Sequence, residues 1–204
     1  MRELLDVNAC KQALERTVDA LEELGITYFI DSGTLLSTYR DNTVNVYDHD
    51  IDVRVFRDDV SKEKEAELIK RLWAKGFRLM VMATEHQLGA GHPLGTGVNL
   101  DLKFCGMDDK DVWYYCWKEP DPIPIIHLYP RRFFENMTTI NLLGRDYSCP
   151  SPIEEYIEYH YGKDWREFKV RAEDAEETDM TWDYMKDPPC MLTLEEFIAL
   201  KSSG

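Results

Sequence analysis

Apolar residues recur at three- and four-residue spacing at the start of the chain. Ala13, Leu14, Val18, Leu21 and Leu24 form one stripe, and Gly25 follows as a natural stop. That spacing predicts a helix over 7–24. The pattern then switches. Ile26-Thr27-Tyr28-Phe29-Ile30 is β-branched and aromatic, which predicts a short buried strand. Asp31-Ser32-Gly33 reads as a turn, and 34–39 as a short helix in which Leu35 and Leu36 pair with Tyr39. Asp41-Asn42 opens a polar loop, and a strand is predicted over 48–56. Side chains on a strand alternate. Asp48, Asp50 and Asp52 therefore point one way, and Ile51, Val53 and Val55 the other.

Asp58, Asp59 and Ser61 offer N-caps for a helix over about 60–75, with Ala66, Leu68, Ile69, Leu72 and Trp73 as its apolar stripe and Gly76 as its end. A strand is predicted over 77–83. Residues 85–97 carry four glycines, Pro93, His86 and His92, and read as a long loop. Strands follow at 98–104, which carries Asp101, and at 112–117. A proline-rich turn or crossover is predicted at 119–124. The stretches 133–143 and 145–147 read as a hairpin around Gly144. Ser151-Pro152-Ile153-Glu154 is a helix start, with Ser151 as N-cap and Pro152 at N1, and Gly162 ends that helix. The acidic stretch 171–187 reads as surface-draped, and 192–200 as a last helix.

Composition narrows the class. The chain has 204 residues, 44% hydrophobic and 31% charged, enough for one domain with a core. A net charge of −15 argues against nucleic acid or an anionic membrane as partner, because both are held by an excess of Lys and Arg. No apolar stretch approaches the roughly 20 residues of a membrane span. Five cysteines without C-x-x-C spacing fit free thiols in a reducing compartment. With no hydrophobic signal core at the start, this predicts a cytoplasmic protein.

The acidic strand carries the chemistry. Three like charges side by side repel and resist desolvation, and a hard divalent cation such as Mg²⁺ or Mn²⁺ resolves the conflict. Calcium loops and solvated strand edges use similar runs, but this one lacks the glycine and terminal glutamate of an EF-hand. Sixteen residues upstream, Ser32-Gly33-Thr34 could let backbone approach a phosphate closely. Asp101, on another strand, is a candidate third acidic contributor. Arg40 could reach a phosphate with its planar fork. His49 reads as a core or supporting residue, and His86 and His92 as loop residues able to touch substrate. Tyr156, Tyr159, Tyr161 and Trp165 read as packing residues, of which one or two could stack on a base. There is no P-loop, no G-x-S-x-G and no dinucleotide-binding G-x-G-x-x-G. The residues alone point to phosphoryl or nucleotidyl transfer.

Taken as a set, these motifs resemble the LicD/fukutin family of the polymerase-β-like nucleotidyltransferase superfamily. The resemblance rests on Gly33-Thr34-Leu35-Leu36 with Arg40, on Asp48-His49-Asp50-Ile51-Asp52, on Asp101, on Leu128-Tyr129-Pro130, and on Cys149-Pro150-Ser151-Pro152-Ile153-Glu154-Glu155-Tyr156 with Tyr161-Gly162. It covers most of 1–166. The chain departs from the family pattern at Ser37, at Val46-Tyr47 and at Asp101-Leu102-Lys103-Phe104, and it keeps the carboxylates. The resemblance implies an α+β fold, a mixed β-sheet flanked by helices around a nucleotidyltransferase-like core. It implies a catalytic domain over 1–170, with an acidic extension at 171–204 packed on it. It also implies transfer of a phospho-alcohol, such as phosphocholine or ribitol phosphate, from a CDP-linked donor to a glycan hydroxyl. Asp48, Asp50 and Asp52 would hold Mg²⁺ or Mn²⁺, with Asp50, Asp52 and Asp101 catalytic and Asp101 as base or nearest the acceptor. Ser32, Gly33, Thr34 and Arg40 would bind the donor. The alternatives are nucleotidyl transfer from an NTP with release of pyrophosphate, and a non-catalytic metal- or nucleotide-binding module.

Overall fold

The computed structural model describes residues 6–48, 50–84, 87–91, 98–118, 123–167, 170–171, 181–182 and 191–202. In chain order they form α1 (Val7–Glu22), β1 (Tyr28–Ile30), α2 (Ser32–Asp41), β2 (Asp50–Phe56), α3 (Lys62–Ala74), β3 (Arg78–Thr84), β4 (Gln87–Gly91), β5 (Asn99–Met107), β6 (Asp111–Lys118) and β7 (Ile123–Pro130). Next come α4 (Arg132–Glu135), β8 (Thr138–Leu142), β9 (Arg145–Cys149), α5 (Ile153–Tyr161), β10 (Val170–Arg171), β11 (Thr181–Trp182), β12 (Met191–Thr193) and α6 (Leu194–Ser202). The class is α+β, a mixed sheet flanked by helices.

One eight-stranded sheet organises the molecule in the order β1-β2-β5-β6-β7-β12, with β3 and β4 off this path. β2 and β5 run parallel along Asp50–Phe56, and β1 lies antiparallel on the other side of β2. The second edge of β5 is shared: β4 pairs with its first half and β6 joins at Gly106 and Met107. β12, from the far end of the chain, pairs antiparallel with β7. β8-β9 and β10-β11 form two further small sheets, and β9 packs against β1.

The core follows from the alternation on β2 and β5. Ile51, Val53, Val55, Leu100, Leu102 and Phe104 are all buried and share one face. α1 buries Ala13, Leu14, Val18 and Leu21 and packs on β2 and α3. Each buried aliphatic side chain contributes about 1.5–3 kcal/mol. The Asp6 carboxylate caps α1 by accepting from the Asn8 and Ala9 amides at 2.7 and 3.1 Å.

Several boundaries differ from the sequence reading. α2 begins at Ser32, so Ser32 and Gly33 lie in its first turn instead of in a turn before it. β2 begins at Asp50, where the ladder with β5 starts. Asp48 comes before it, in a turn closed by its amide on the Asn45 carbonyl at 3.1 Å. On α3, Leu68 and Leu72 are buried, but Ala66 and Trp73 face outward, Trp73 beneath the Arg78 guanidinium at 4.3 Å. Within the stretch read as a loop, 87–91 is strand β4, because its backbone completes the open edge of β5. Ile123 and Pro124 open strand β7, which pairing with β6 specifies and local composition hid. The hairpin around Gly144 starts only at Thr138, since Phe133 and Phe134 lie buried in α4. Pro152, not Ser151, is the N-cap of α5. The last helix begins at Leu194, after β12.

The expectations for His49, His86 and His92, and for most of 171–187, fall outside the described residues. Cys10, Cys105, Cys116 and Cys149 are free thiols, and Cys190 also falls outside. Among the described residues no helix is long and apolar enough to cross a membrane.

Candidate active site

The site grows from the β2-β5 register. Asp50 faces Asn99, Asp52 faces Asp101, and Arg54 faces Lys103. All six residues occupy the face opposite the aliphatic core. A parallel ladder thus lays carboxylates from two distant segments side by side.

Asp48, Asp50 and Asp52 converge as the sequence suggests, although Asp48 reaches the group from a turn. One carboxylate oxygen of each lies within 4.8 Å of the others. Gly33 makes room for them. A Cβ built there would sit 2.3 Å from the Asp48 Oδ2 and 3.6 Å from the Asp52 Oδ2. The Asp52 amide donates to the Thr34 Oγ1 at 2.8 Å, which ties the first turn of α2 to the start of β2. Burial, together with Asp50 and Asp101, pushes the Asp52 carboxyl up to about 8, against the pull of Arg54. Converging carboxylates in a space cleared by glycine, one of them held above its ordinary range, suit a hard divalent cation.

Behind the carboxylates lies a layer that sequence reasoning missed. Arg54 is only 1% exposed and binds three acidic residues. Its Nε lies 3.2 Å from the Asp31 Oδ2, its Nη2 3.0 Å from the Asp52 Oδ1, and its Nη1 3.8 Å from the Asp101 Oδ2. The Nη1 also donates to the Asp101 carbonyl at 3.0 Å. Buried Lys103 places its ammonium 3.1 Å from the Asp101 Oδ2 and 3.0 Å from the Cys116 Sγ. Burial opposes the charge on Lys103, but Cys116 and Asp101 outweigh it and hold the ammonium protonated.

Asp31 is fully buried at the N-cap of α2, yet its carboxylate does not cap the helix. It accepts from the Tyr156 hydroxyl at 2.6 Å and pairs with Arg54. Burial alone would raise its carboxyl, but Arg54 and that hydroxyl hold it below the usual range. Around this pair, Tyr114, Tyr129, His127 and His160 form a buried polar cluster. Tyr129 and the His160 Nδ1 lie 2.8 Å apart, and Tyr114 and Tyr129 are joined at 3.0 Å. Burial lowers both imidazoles to about 3, so they are neutral. Alternation alone would have exposed Arg54 and Lys103, each two residues beyond an aspartate. The Asp31–Tyr156 contact, 125 residues apart in sequence, left no local signal.

Arg40 lies in the last turn of α2. Its guanidinium bonds Asp41 at 2.7–3.0 Å and the Trp165 carbonyl at 3.5 Å. Tyr156 and Trp165 are buried, and Tyr39 packs against Trp165 with ring centroids 5.7 Å apart.

The chain is similar to proteins called ribitol-5-phosphate transferase FKTN. The Homo sapiens protein is 25% identical over 194 residues, covering 89% of this chain and 36% of that protein. The Macaca fascicularis protein is 24% identical with the same coverage. The Mus musculus protein is 23% identical over 192 residues, covering 88% and 36%. The chain thus spans about a third of the length of these relatives. Among solved structures it is similar to the lincomycin-bound lincosamide adenylyltransferase LnuA, with a TM-score of 0.47 and 16% identity over 79% of this chain and 89% of that one. The resistance factor ANT(2'')-Ia gives 0.46 and 18% over 68% and 63%. The model of the LicD/FKTN/FKRP nucleotidyltransferase domain matches residues 25–152, which hold β1, α2, β2, β5 and every carboxylate of the site, and the chain belongs to that family.

Proposed function

We propose that this domain transfers a phospho-alcohol from a CDP-alcohol to a glycan hydroxyl, releasing CMP. Family membership supports a transferase. The similarity to ribitol-5-phosphate transferases favours ribitol phosphate as cargo over phosphocholine. The observation that carries the reading is the register of β2 on β5, which sets Asp101 beside Asp52 at the rim of the Asp48-Asp50-Asp52 group.

Asp48, Asp50 and the Asp52 Oδ2 would hold Mg²⁺ or Mn²⁺. Such a cation would neutralise phosphate charge and polarise the phosphoryl oxygens. Gly33 leaves space for the Asp48 carboxylate and the incoming diphosphate. Thr34 fixes the backbone of Asp52. Asp101, beside the Lys103 ammonium and the Arg54 guanidinium, accepts the proton of the acceptor hydroxyl as its oxygen bonds to phosphorus and the bond to CMP breaks. Positioning and charge supply most of the rate, since the protein forms no covalent bond to substrate. Arg40 joins the donor only if a bound phosphate draws it from Asp41.

The test is thermal denaturation with Mg²⁺ or Mn²⁺ and a set of donors: CDP-ribitol, CDP-choline, CDP-glycerol, CTP, ATP, GTP and UTP. A ligand at 100 times its Kd stabilises by about 2.7 kcal/mol, a readily measured shift. A shift with a CDP-alcohol that is lost in Asp50→Asn is the expected result. A shift with an NTP alone, accompanied by pyrophosphate release, replaces the proposal with nucleotidyl transfer, which the domain's family description also accommodates. Metal binding without turnover on any donor makes the domain a binding module.

A further inference from the structure

The two oxygens of Asp52 face different neighbours. Its Oδ2 lies on the Gly33 and Asp48 side. Its Oδ1 is bonded by the Arg54 Nη2 at 3.0 Å. Asp101 is held in a comparable way. Its Oδ2 has the Lys103 ammonium at 3.1 Å and the Arg54 Nη1 at 3.8 Å.

We propose that the site takes one divalent cation, on the Asp48-Asp50 side, because Arg54 and Lys103 already fill the Asp52–Asp101 half with built-in positive charge. The inference rests on the metal-dependent reading above and deepens it.

A second cation bridging Asp52 and Asp101 would compete with these side chains for the Asp52 Oδ1 and the Asp101 Oδ2. It would also meet a guanidinium and an ammonium at close range, in a setting too dry to screen them. Neither group can swing aside easily. Arg54 is anchored by the Val53 and Asp101 carbonyls and by the Ser32 Oγ, and it lies 4.7 Å from the centroid of the Tyr114 ring. Lys103 is pinned between Asp101 and Cys116, with the same ring on its flank. The division has a chemical use. The Asp48 side meets the donor phosphates with a removable cation, and the Asp101 side meets the acceptor hydroxyl with a fixed one. Lys103 and Arg54 are thus positioning residues that act through Asp101 and Asp52.

The experiment is a Mn²⁺ titration of the full chain followed by electron paramagnetic resonance of the free ion, which counts bound equivalents without reference to activity. The expected count is one. Asp48→Asn should lose it, and Asp101→Asn should keep it. Lys103→Met should gain a second equivalent, with folding checked by circular dichroism. Two equivalents in the wild type, falling to one in Asp101→Asn, would overturn the proposal while leaving the metal-dependent reading intact. No bound Mn²⁺ at all would overturn both. A folded Lys103→Met that still binds one equivalent removes Lys103 from the assignment. Should that variant not fold, the wild-type count together with Asp48→Asn and Asp101→Asn still decides the question.

Discussion

The two faces of the β2-β5 ladder, one fully buried and the other buried at Asp52, Arg54 and Lys103, are held by opposite means. One face carries Ile51, Val53, Val55, Leu100, Leu102 and Phe104, and the other Asp50, Asp52, Arg54, Asn99, Asp101 and Lys103. On the aliphatic side every residue gains by leaving water, and shape alone limits what fits. On the charged side every residue loses by leaving water and is kept there only by its partners. The first face answers to volume, and the second to charge balance. A single register delivers both, so the fold cannot supply the core without also assembling the site.

Removing charge from the polar face should have its largest effect on turnover. Asp52→Asn is expected to lower the transfer rate on the order of a thousandfold, as losing a key electrostatic group does, with the melting temperature held or raised because repulsion with Asp50 is relieved. Steady-state kinetics and a melting curve on the same preparation check it. A variant with wild-type turnover would remove Asp52 from the mechanism.

Arg54→Met should cost about 3–5 kcal/mol of stability, since the fully buried Asp31 carboxylate loses its counter-charge. Leu102→Ala, one strand over on the aliphatic face, should cost about 2–5 kcal/mol through a cavity. Urea midpoints measure both, and a second change separates them. Adding Asp31→Asn should restore part of the loss in Arg54→Met and none of the loss in Leu102→Ala. Equal behaviour of the two would collapse the distinction between the faces.

Acid sharpens the contrast more gently. His127 and His160 have folded pKa values of about 3 against an ordinary 6.5. Between those values the unfolded chain binds protons that the folded chain refuses. Their stabilisation is therefore complete above pH 6.5 and is lost as pH falls toward 3, at up to about 1.4 kcal/mol per pH unit for each. Asp52 pulls the other way from 3.8 to about 8, so the comparison is best made in Asp52→Asn. Adding His160→Gln to that background should flatten the acid limb of the stability curve. An unchanged slope would mean that His160 is charged or exposed.

The smallest stability change is expected from Gly33→Ala. Its new Cβ meets a side-chain carboxylate, so Asp48 can swing away at a cost below about 1 kcal/mol. Displacing the Asp48 carboxylate should weaken Mn²⁺ binding in the same titration. Wild-type affinity would show that Asp48 is dispensable.

The apolar half of this picture was legible in the chain because it repeats with period two and is dense in β-branched residues. The carboxylates were legible for the opposite reason, as a pattern that folding alone does not favour. Their convergence held even though Asp48 lies before the strand, because a turn as well as a pleat can aim a side chain. What stayed hidden was written in pairs far apart. Tyr156 on Asp31 and Lys103 against Cys116 are single contacts with no period. β4 was concealed by its glycines, which suit a loop until the bare edge of β5 asks for a partner.

The pairing of β12 with β7 also bears on how the protein behaves among its own copies. The family domain ends at residue 152, well before Met191, so within that span β7 is a terminal strand with its outer amides and carbonyls facing outward. A chain cut after α5 would keep the ladder and every carboxylate, yet it would present a bare strand to its neighbours. Its first failure would be self-association in solution, arising at the edge of the sheet farthest from β1.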